Sequence, residues 1–298
     1  MERVAMGGRA VGFALVTDPA AVTTLRCAPA LECVLSWNSF AESGEIEFAL
    51  RSGAAHISPW LPFARWSPQS RRSFPCNLLG VSVLTDIIRS EVPFDAVQVR
   101  TDPEGLQSLA LATPTPLQPS FPFAGGARIH DVPLQTQYVV EGEAGWCSPA
   151  SLTMLLRFHG IDARIEDVAA GVFDEIYSGY GNWAFNVAYA GTQSLRAALA
   201  YVGSLDIAEL FLERNLPLAL SYAWEEGELP GAPLPRSAGH LAVLCGFTSN
   251  GDCVMNDPAA ARIRTIYPRR ALERCWQRHG GVAYVLAPVG IPFTDLLA

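Results

Sequence analysis

Apolar residues recur at every second position in Gly44-Glu45-Ile46-Glu47-Phe48-Ala49-Leu50-Arg51, which puts Ile46, Phe48 and Leu50 on one face of an extended segment. Similar short runs occupy 33–37, 81–85, 96–100 and 107–111, with Ser, Asn, Pro and Gly clusters between them and no long helical stripe. Short strands divided by turns predict an antiparallel β-sandwich or barrel over residues 1–112. Pro114, Pro116, Pro119 and Pro122 then precede Gly125-Gly126. Proline withholds a backbone donor and stiffens the chain, so 113–127 is predicted to be a linker, and a domain boundary is expected there.

The pattern changes beyond it. Residues 150–158 form a compact apolar helix candidate that stops at His159-Gly160, and Leu195, Ala198, Leu199 and Val202 fall at helical spacing within 193–202. The runs at 216–224, 241–247, 253–256 and 282–286 are predicted strands. A helix first and strands later give an α+β domain over 128–298. No internal repeat or low-complexity tract interrupts it.

Composition narrows the classes of function. The chain has 298 residues, enough for two domains, and half of them are apolar while 17% are charged, as in an ordinary folded protein. A net charge of −8, with Arg71-Arg72 and Arg269-Arg270 as the only short basic clusters, argues against a nucleic-acid partner. No apolar window approaches the roughly 20 residues of a membrane span. The apolar run after Arg9 is brief and ends at Thr17-Asp18-Pro19, so no export signal is expected and a cytoplasmic location follows, or a secreted one if residues precede Met1. The seven cysteines include no C-x-x-C pair, which argues against a structural metal site. Cys245 and Cys253 flank a predicted turn and are expected to be buried thiols rather than a bridge. No cofactor is implied.

Phosphate-loop, dinucleotide-binding, serine-elbow and zinc-helix motifs are all absent. What carries chemistry is Gly145-Trp146-Cys147-Ser148-Pro149-Ala150-Ser151. Pro149 suits the first turn of a helix, which puts Cys147 at the helix start among unpaired N–H groups and at the positive end of the dipole. Both effects favour thiolate, the nucleophilic form. The same spacing also suits a small buried residue that happens to precede a helix.

A thiol nucleophile needs a base. His159 ends the same helix, His56 and His130 lie in the front half and near the linker, and His279 precedes Gly280-Gly281. His240 instead opens the apolar strand Leu241-Ala242-Val243-Leu244-Cys245-Gly246-Phe247. Asn250-Gly251 then signals a hairpin, and the returning strand ends at Asn256-Asp257-Pro258, which brings Asp257 back towards His240. A carboxylate beside an imidazole fixes its tautomer and stabilises the imidazolium.

Four segments carry a resemblance: Val132-Pro133-Leu134-Gln135-Thr136-Gln137, the Cys147 segment, Gly239-His240-Leu241 and Asn256-Asp257-Pro258. Together they resemble the bacteriocin-processing (double-glycine leader) branch of the papain-like cysteine peptidases, and most of all its stand-alone bacterial members. The stretches 180–186 and 267–284 are also similar, so the likeness covers nearly all of 128–288. The resemblance implies a papain-like peptidase domain in which Cys147 is the nucleophile, His240 the base and Asp257 the orienting acid. It implies Gln137, with Gln135 as the alternative, as the oxyanion donor. Ser148 stands where many relatives carry glycine. A peptide or protein substrate follows from the resemblance.

Trp146, Asn182 and Trp183 are candidate substrate-binding residues. Asn182, Trp183 and Asn186 lie in a turn-rich stretch and either line a cleft or anchor a loop. Glu225, Glu226 and Glu228 form a solvated loop or favour basic substrates. The front half resembles the family's accessory domain less strongly. Its Trp37, Trp60 and Trp66 are packing residues or stacking surfaces for a weakly bound glycan or other partner.

Overall fold

The computed structural model of the chain describes residues 12–102, 106–115, 128–139 and 145–291. Most of the expected linker, 116–127, lies outside the described residues. The front half consists of β1 (Gly12–Thr17), β2 (Val22–Asn38), β3 (Gly44–Ser52), β4 (Ala55–His56), β5 (Leu61–Trp66), β6 (Arg71–Ser73), β7 (Cys76–Leu78), β8 (Val81–Leu84), β9 (Ile87–Asp102) and β10 (Ser108–Thr113). The expected antiparallel strands are therefore present. Their hydrogen bonds join all ten in one sheet of order β1-β10-β2-β9-β3-β5-β6, with β4 on β3 and the β7–β8 hairpin on β9; the pairing does not divide them into two separate sheets.

The long strands β2 and β9 shift register around Arg26, Ala30 and Glu32, where Pro29 and Pro93 cannot donate to the ladder. Alternate residues such as Cys33, Leu35, Trp37, Ile46, Phe48, Leu50, Val97 and Val99 bury one face of the sheet as a core. Trp37 is inside that core against Trp66, whose indole N–H donates to Ala41 O. Trp60 lies under the Arg100 guanidinium.

The back half runs β11 (Arg128–Ile129), α1 (Cys147–Phe158), α2 (Ile165–Val172), α3 (Trp183–Thr192), β12 (Leu195–Tyr201), α4 (Leu205–Glu213), β13 (Leu218–Trp224), β14 (Ser237–Phe247), β15 (Cys253–Asn256), β16 (Arg264–Tyr267), α5 (Arg269–Arg278) and β17 (Val282–Pro288). Its antiparallel sheet has the order β12-β17-β13-β14-β15-β16, with β11 on β14. Helices α1, α2 and α3 cover one face, and α4 and α5 cover the other. No helix among the described residues is long and apolar enough to cross a membrane.

Residues 193–202 depart from expectation: Leu195–Tyr201 within them is strand β12, and no helix forms there. Leu195, Ala197, Leu199 and Tyr201 face the core under α1–α3, while Ala198 and Ala200 face the core under α4 and α5. A strand buried on both faces loses its period-two signature, and its apolar run then mimics helical spacing.

β12 is also the edge of its sheet, and the front half satisfies that edge. The Asn38 side chain, buried at the end of β2, donates to Ala197 O at 3.0 Å and accepts from Ala197 N at 3.0 Å. Ser36 Oγ accepts from Leu199 N at 3.2 Å. Two side chains thus replace a missing strand. Gly191 on α3 permits the approach, because a Cβ there would meet Asn38 Cβ at 2.7 Å.

Asn38→Ala is expected to destabilise the protein by about 2–4 kcal/mol, since it strands both Ala197 backbone groups and the Ser108 hydroxyl that donates to Asn38 Oδ1. Urea unfolding measures this. A loss comparable to that of a surface substitution would show that the edge of β12 does not depend on Asn38.

Candidate active site

Cys147 is the first residue of α1, after Trp146 at the N-cap. Gly145, with φ of +86°, turns the chain into the helix through a backbone region that favours glycine. The first intrahelical bond is Ala150 N to Trp146 O, so the missing N–H of Pro149 falls among the donors that a helix start leaves unpaired. The first turn is tied down on two sides. Ser151 Oγ donates to Leu241 O at 3.0 Å, next to His240, and Ser148 Oγ donates to Asn186 Oδ1 and meets Tyr284 OH, both at 2.9 Å.

His240 lies in β14 opposite Tyr222 of β13. Its imidazole is only 3% exposed, wedged edge-on to the rings of Tyr222 and Trp224, which stack on each other. The register of β13 against β14 slips between Tyr222 and Trp224, a bulge of the kind that re-aims side chains. His240 Nε2 meets Asp257 Oδ1 at 2.8 Å. Nδ1 is then the nitrogen left for its interaction with the Cys147 thiol.

The β14–β15 hairpin is present, with Gly251 at φ of +87° in its turn. Pairs Leu244↔Met255 and Val243↔Asn256 set Asp257 level with Ala242, which shares a face with His240. Asn256 faces the other way: its Nδ2 donates to Val132 O at 3.0 Å and its Oδ1 accepts from Arg264 Nε. Asp257, fully buried, has a complete set of donors. Oδ1 also accepts from Ala259 N, and Oδ2 accepts from the hydroxyls of Tyr222 at 3.0 Å and Tyr267 at 2.7 Å.

The electrostatics follow from these contacts. Burial alone would raise the Cys147 pKa, but the bond and charge of His240, with the N–H groups of Leu241 and Ser148, bring it below the ordinary thiol value. Burial likewise opposes charge on His240, and the bonds to Asp257 and Cys147 reverse that and hold its pKa above the usual range. Burial works against ionised Asp257 too, yet His240, Tyr267 and Ala259 N hold its pKa down. The other six thiols, at 27, 33, 76, 245, 253 and 275, all shift upwards, with burial as the largest cause. All seven cysteines are free, Cys245 and Cys253 included.

Gln137 lies beside this array through its N–H, which donates to Pro258 O at 3.0 Å. Its buried Oε1 finds no partner among the described residues, whereas the Gln135 amide is engaged with Arg157 and with Thr136 O. Trp146 is buried edge-on to Tyr180. Asn182 is buried at the N-cap of α3, accepting from Phe185 N and donating to Asp174 Oδ2. Its polar groups are occupied inside the protein, as in a loop anchor, and Trp183 packs edge-on to His279. Glu228 accepts from Glu225 N and from Arg278, which closes the acidic loop on α5. Trp183 and Asn186, expected in a turn-rich stretch, belong to helix α3, with Asn182 as its N-cap. Tyr222, Trp224, Tyr267 and Tyr284, which frame the imidazole, the carboxylate and the first turn of α1, carried no local motif. Only the strand order of the sheet, with β17 beside β13 and β16 two strands beyond β14, brings them together.

Comparison with known proteins assigns the chain to a family. A sequence model of the Peptidase_C39 like family matches residues 129–284, and the chain belongs to that family. A search of curated proteins found no match. Among solved structures, the chain is similar to a putative C39-like peptidase from Bacillus anthracis at 16% identity, covering 55% of this chain and 98% of that one with a TM-score of 0.42. It is similar to a double glycine motif protease from an AMS/PCAT transporter in complex with the leader peptide, at 20% identity, with 54% and 95% covered and a TM-score of 0.39. The peptidase domain of Streptococcus ComA, a bi-functional ABC transporter, matches at 18% identity, with 53% and 98% covered and a TM-score of 0.39.

Iodoacetamide is expected to modify Cys147 first among the seven thiols, and to do so below the free-cysteine pKa of about 8.5. Replacing His240 by Ala removes the cation and the hydrogen bond and should erase most of that advantage. Equal rates at Cys147 and Cys245, read by peptide mass spectrometry, would show that the helix start does not activate the thiol.

Proposed function

We propose that the protein is a cysteine peptidase that works through Cys147, His240 and Asp257, with Gln137 as an oxyanion donor. One observation carries this reading: Cys147 opens α1 beside a buried imidazole whose Nε2 is bonded to the buried carboxylate of Asp257, and that imidazole shifts the thiol pKa down. Membership of a peptidase family supports it.

In this mechanism the Cys147 thiolate attacks the carbonyl carbon of a peptide bond, and the π electrons move onto oxygen. The N–H of Cys147 at the helix start and the Gln137 side-chain amide hold that oxyanion. The Gln135 side chain is held by Arg157 and by Thr136 O, which favours Gln137 over it in this role. The tetrahedral adduct collapses as the C–N bond breaks, and the imidazolium Nδ1–H of His240 protonates the leaving amine. Neutral His240 then takes a proton from water, which attacks the thioester and releases the acid product. Asp257 keeps Nε2–H bonded throughout and stays ionised, because a paired carboxylate stabilises the imidazolium without taking its proton. A transfer of the same acyl group to an amine in place of water would use the same residues.

A depressed thiol and a raised imidazole define a window. Below the lower apparent pKa of the coupled pair the nucleophile is protonated, and above the upper one the imidazolium loses the proton that the leaving amine needs. The pH dependence of peptide cleavage should therefore be bell-shaped, with both limbs belonging to the pair.

Cys147→Ser is expected to abolish cleavage in a peptide-library digest read by mass spectrometry, while leaving the fold intact. Asp257→Ala should cut turnover by about 100-fold or more, as removal of an orienting carboxylate does elsewhere, and Asn256→Ala should cost far less. The reverse ranking would move the role of the acid to Asn256.

A further inference from the structure

We propose that Asp86, contributed by the front β half, is a positioning residue for the Cys147–His240 site and acts through the N-terminus of α3. The proposal rests on the cysteine-peptidase reading above and adds to it a residue outside the family-matched segment.

Asp86 sits in the two-residue turn between β8 and β9. Thr85 is held at φ of +57° while Asp86 N donates back to Leu84 O at 2.6 Å, a γ-type turn in a backbone region that a β-branched residue rarely adopts. Such strain persists only where surrounding contacts impose it. The contact here is with the other half of the molecule. Asp86 is 5% exposed, and its Oδ2 accepts from Trp183 N, the first residue of α3, at 2.6 Å. The carboxylate thus satisfies a donor that the helix start leaves unpaired and opposes the positive end of its dipole. A second attachment lies beside it, where Asp174 accepts from Ser73 N of β6 and from the Asn182 side chain at the N-cap.

The first turn of α3 reaches the chain neighbours of both partners of the reacting pair, directly at Ser148 and through His279 at Gly239. Asn186 accepts from Ser148 Oγ, next to Cys147, and the Ser148 N–H is among the groups that lower the pKa of the thiol. On the other side, the Trp183 ring packs edge-on to His279 at 5.7 Å. His279 is anchored by Ser221 and lies against Gly239, the residue before His240. A shift of α3 therefore displaces the supports of thiol and imidazole together. Reactions of this kind are sensitive to displacements of about 1 Å.

Burial raises the Asp86 pKa to about 7, with the charge of Asp174 in the same direction and the N–H groups of Trp183 and Ala184 against it. The titratable groups around it are Asp174, Tyr177, Tyr201 and Tyr284, with His279 beyond the Trp183 ring. Ionised Asp86 makes a charge-assisted bond to Trp183 N, and protonation weakens it, so the grip on α3 relaxes as pH falls through neutrality.

The test is the rate of Cys147 alkylation by iodoacetamide across pH 5–9 in the full chain, with fold checked by circular dichroism. Asp86→Ala is expected to slow alkylation about tenfold or more. Asp86→Asn, which keeps an acceptor, should restore part of the rate but lose the inflection near neutral pH expected of the wild type. Ser36→Ala, which removes another bond between the two halves without touching α3, should react like wild type. Wild-type rates in Asp86→Ala, an equal loss in Ser36→Ala, or an inflection retained in Asp86→Asn would each overturn the positioning role. If Asp86→Ala fails to fold, the isosteric Asp86→Asn profile decides alone. A wild-type Cys147 no faster than the other thiols would sink the cysteine-peptidase reading and this proposal with it, an outcome distinct from a reactive Cys147 that ignores Asp86.

Discussion

An ionised carboxylate with no exposed surface is the constraint around which the back half is arranged. Asp257 has left water entirely, and such a group survives as an anion only if every acceptor position finds a donor. The four it has come from four places: the β14 imidazole, the β13 hydroxyl of Tyr222, the β16 hydroxyl of Tyr267, and the N–H of Ala259 in its own turn. Three strands must therefore hold fixed registers for one carboxylate to stay charged. In the proposed mechanism that charge raises the pKa of His240, and the imidazole in turn lowers that of Cys147. Seen from this end, the sheet is the device and the cysteine its readout.

The same reasoning separates Cys147 from its six counterparts. A thiol in an apolar interior is harder to ionise than in water, which is the state of Cys33, Cys245 and Cys253. Cys147 feels that same penalty as the largest influence on it. What differs is the company: an imidazole, and two backbone N–H groups supplied by a strand and a helix start. The helix alone is a weak argument, since dipole effects at a terminus are of order 1 kcal/mol. The paired imidazole is the larger part, and it depends on Ser151 fastening α1 to Leu241, one residue from His240.

Legibility in the sequence followed the range of the interaction. Cys147 and the helix it starts were visible because a helix start is local and Pro149 marks it. Asp257 was visible because Asn250-Gly251 fixes a hairpin and a hairpin returns the chain to a known end; the pleat then separates it from Asn256. The front strands were visible wherever one face is wet, as in β3. β12 was misread because both of its faces are dry, so alternation vanishes and only an apolar run remains. α3 was hidden for a related reason. It is apolar almost all round, packed between α1, α2 and the front sheet, and shows no amphipathic stripe. Tyr222 and Trp224 had no local signal at all, since the meaning of the aromatic frame lies in strand order.

The two halves meet in a way that bears on why the front half is there at all. An exposed edge at β12 would leave Ala197 and Leu199 with open backbone groups, an invitation to pair with another chain. Asn38 and Ser36 close it with side chains in place of a strand, which stops the sheet from growing. Helix α3 lies in the angle between β2 and β12, so its position is set by both halves together. Because Ser148 is bonded to Asn186 on that helix, the start of α1 inherits the same dependence. Cutting away the front half would therefore do more than remove an attachment: it would open a sheet edge, uncover one side of α3, and free the helix that steadies the residue after Cys147.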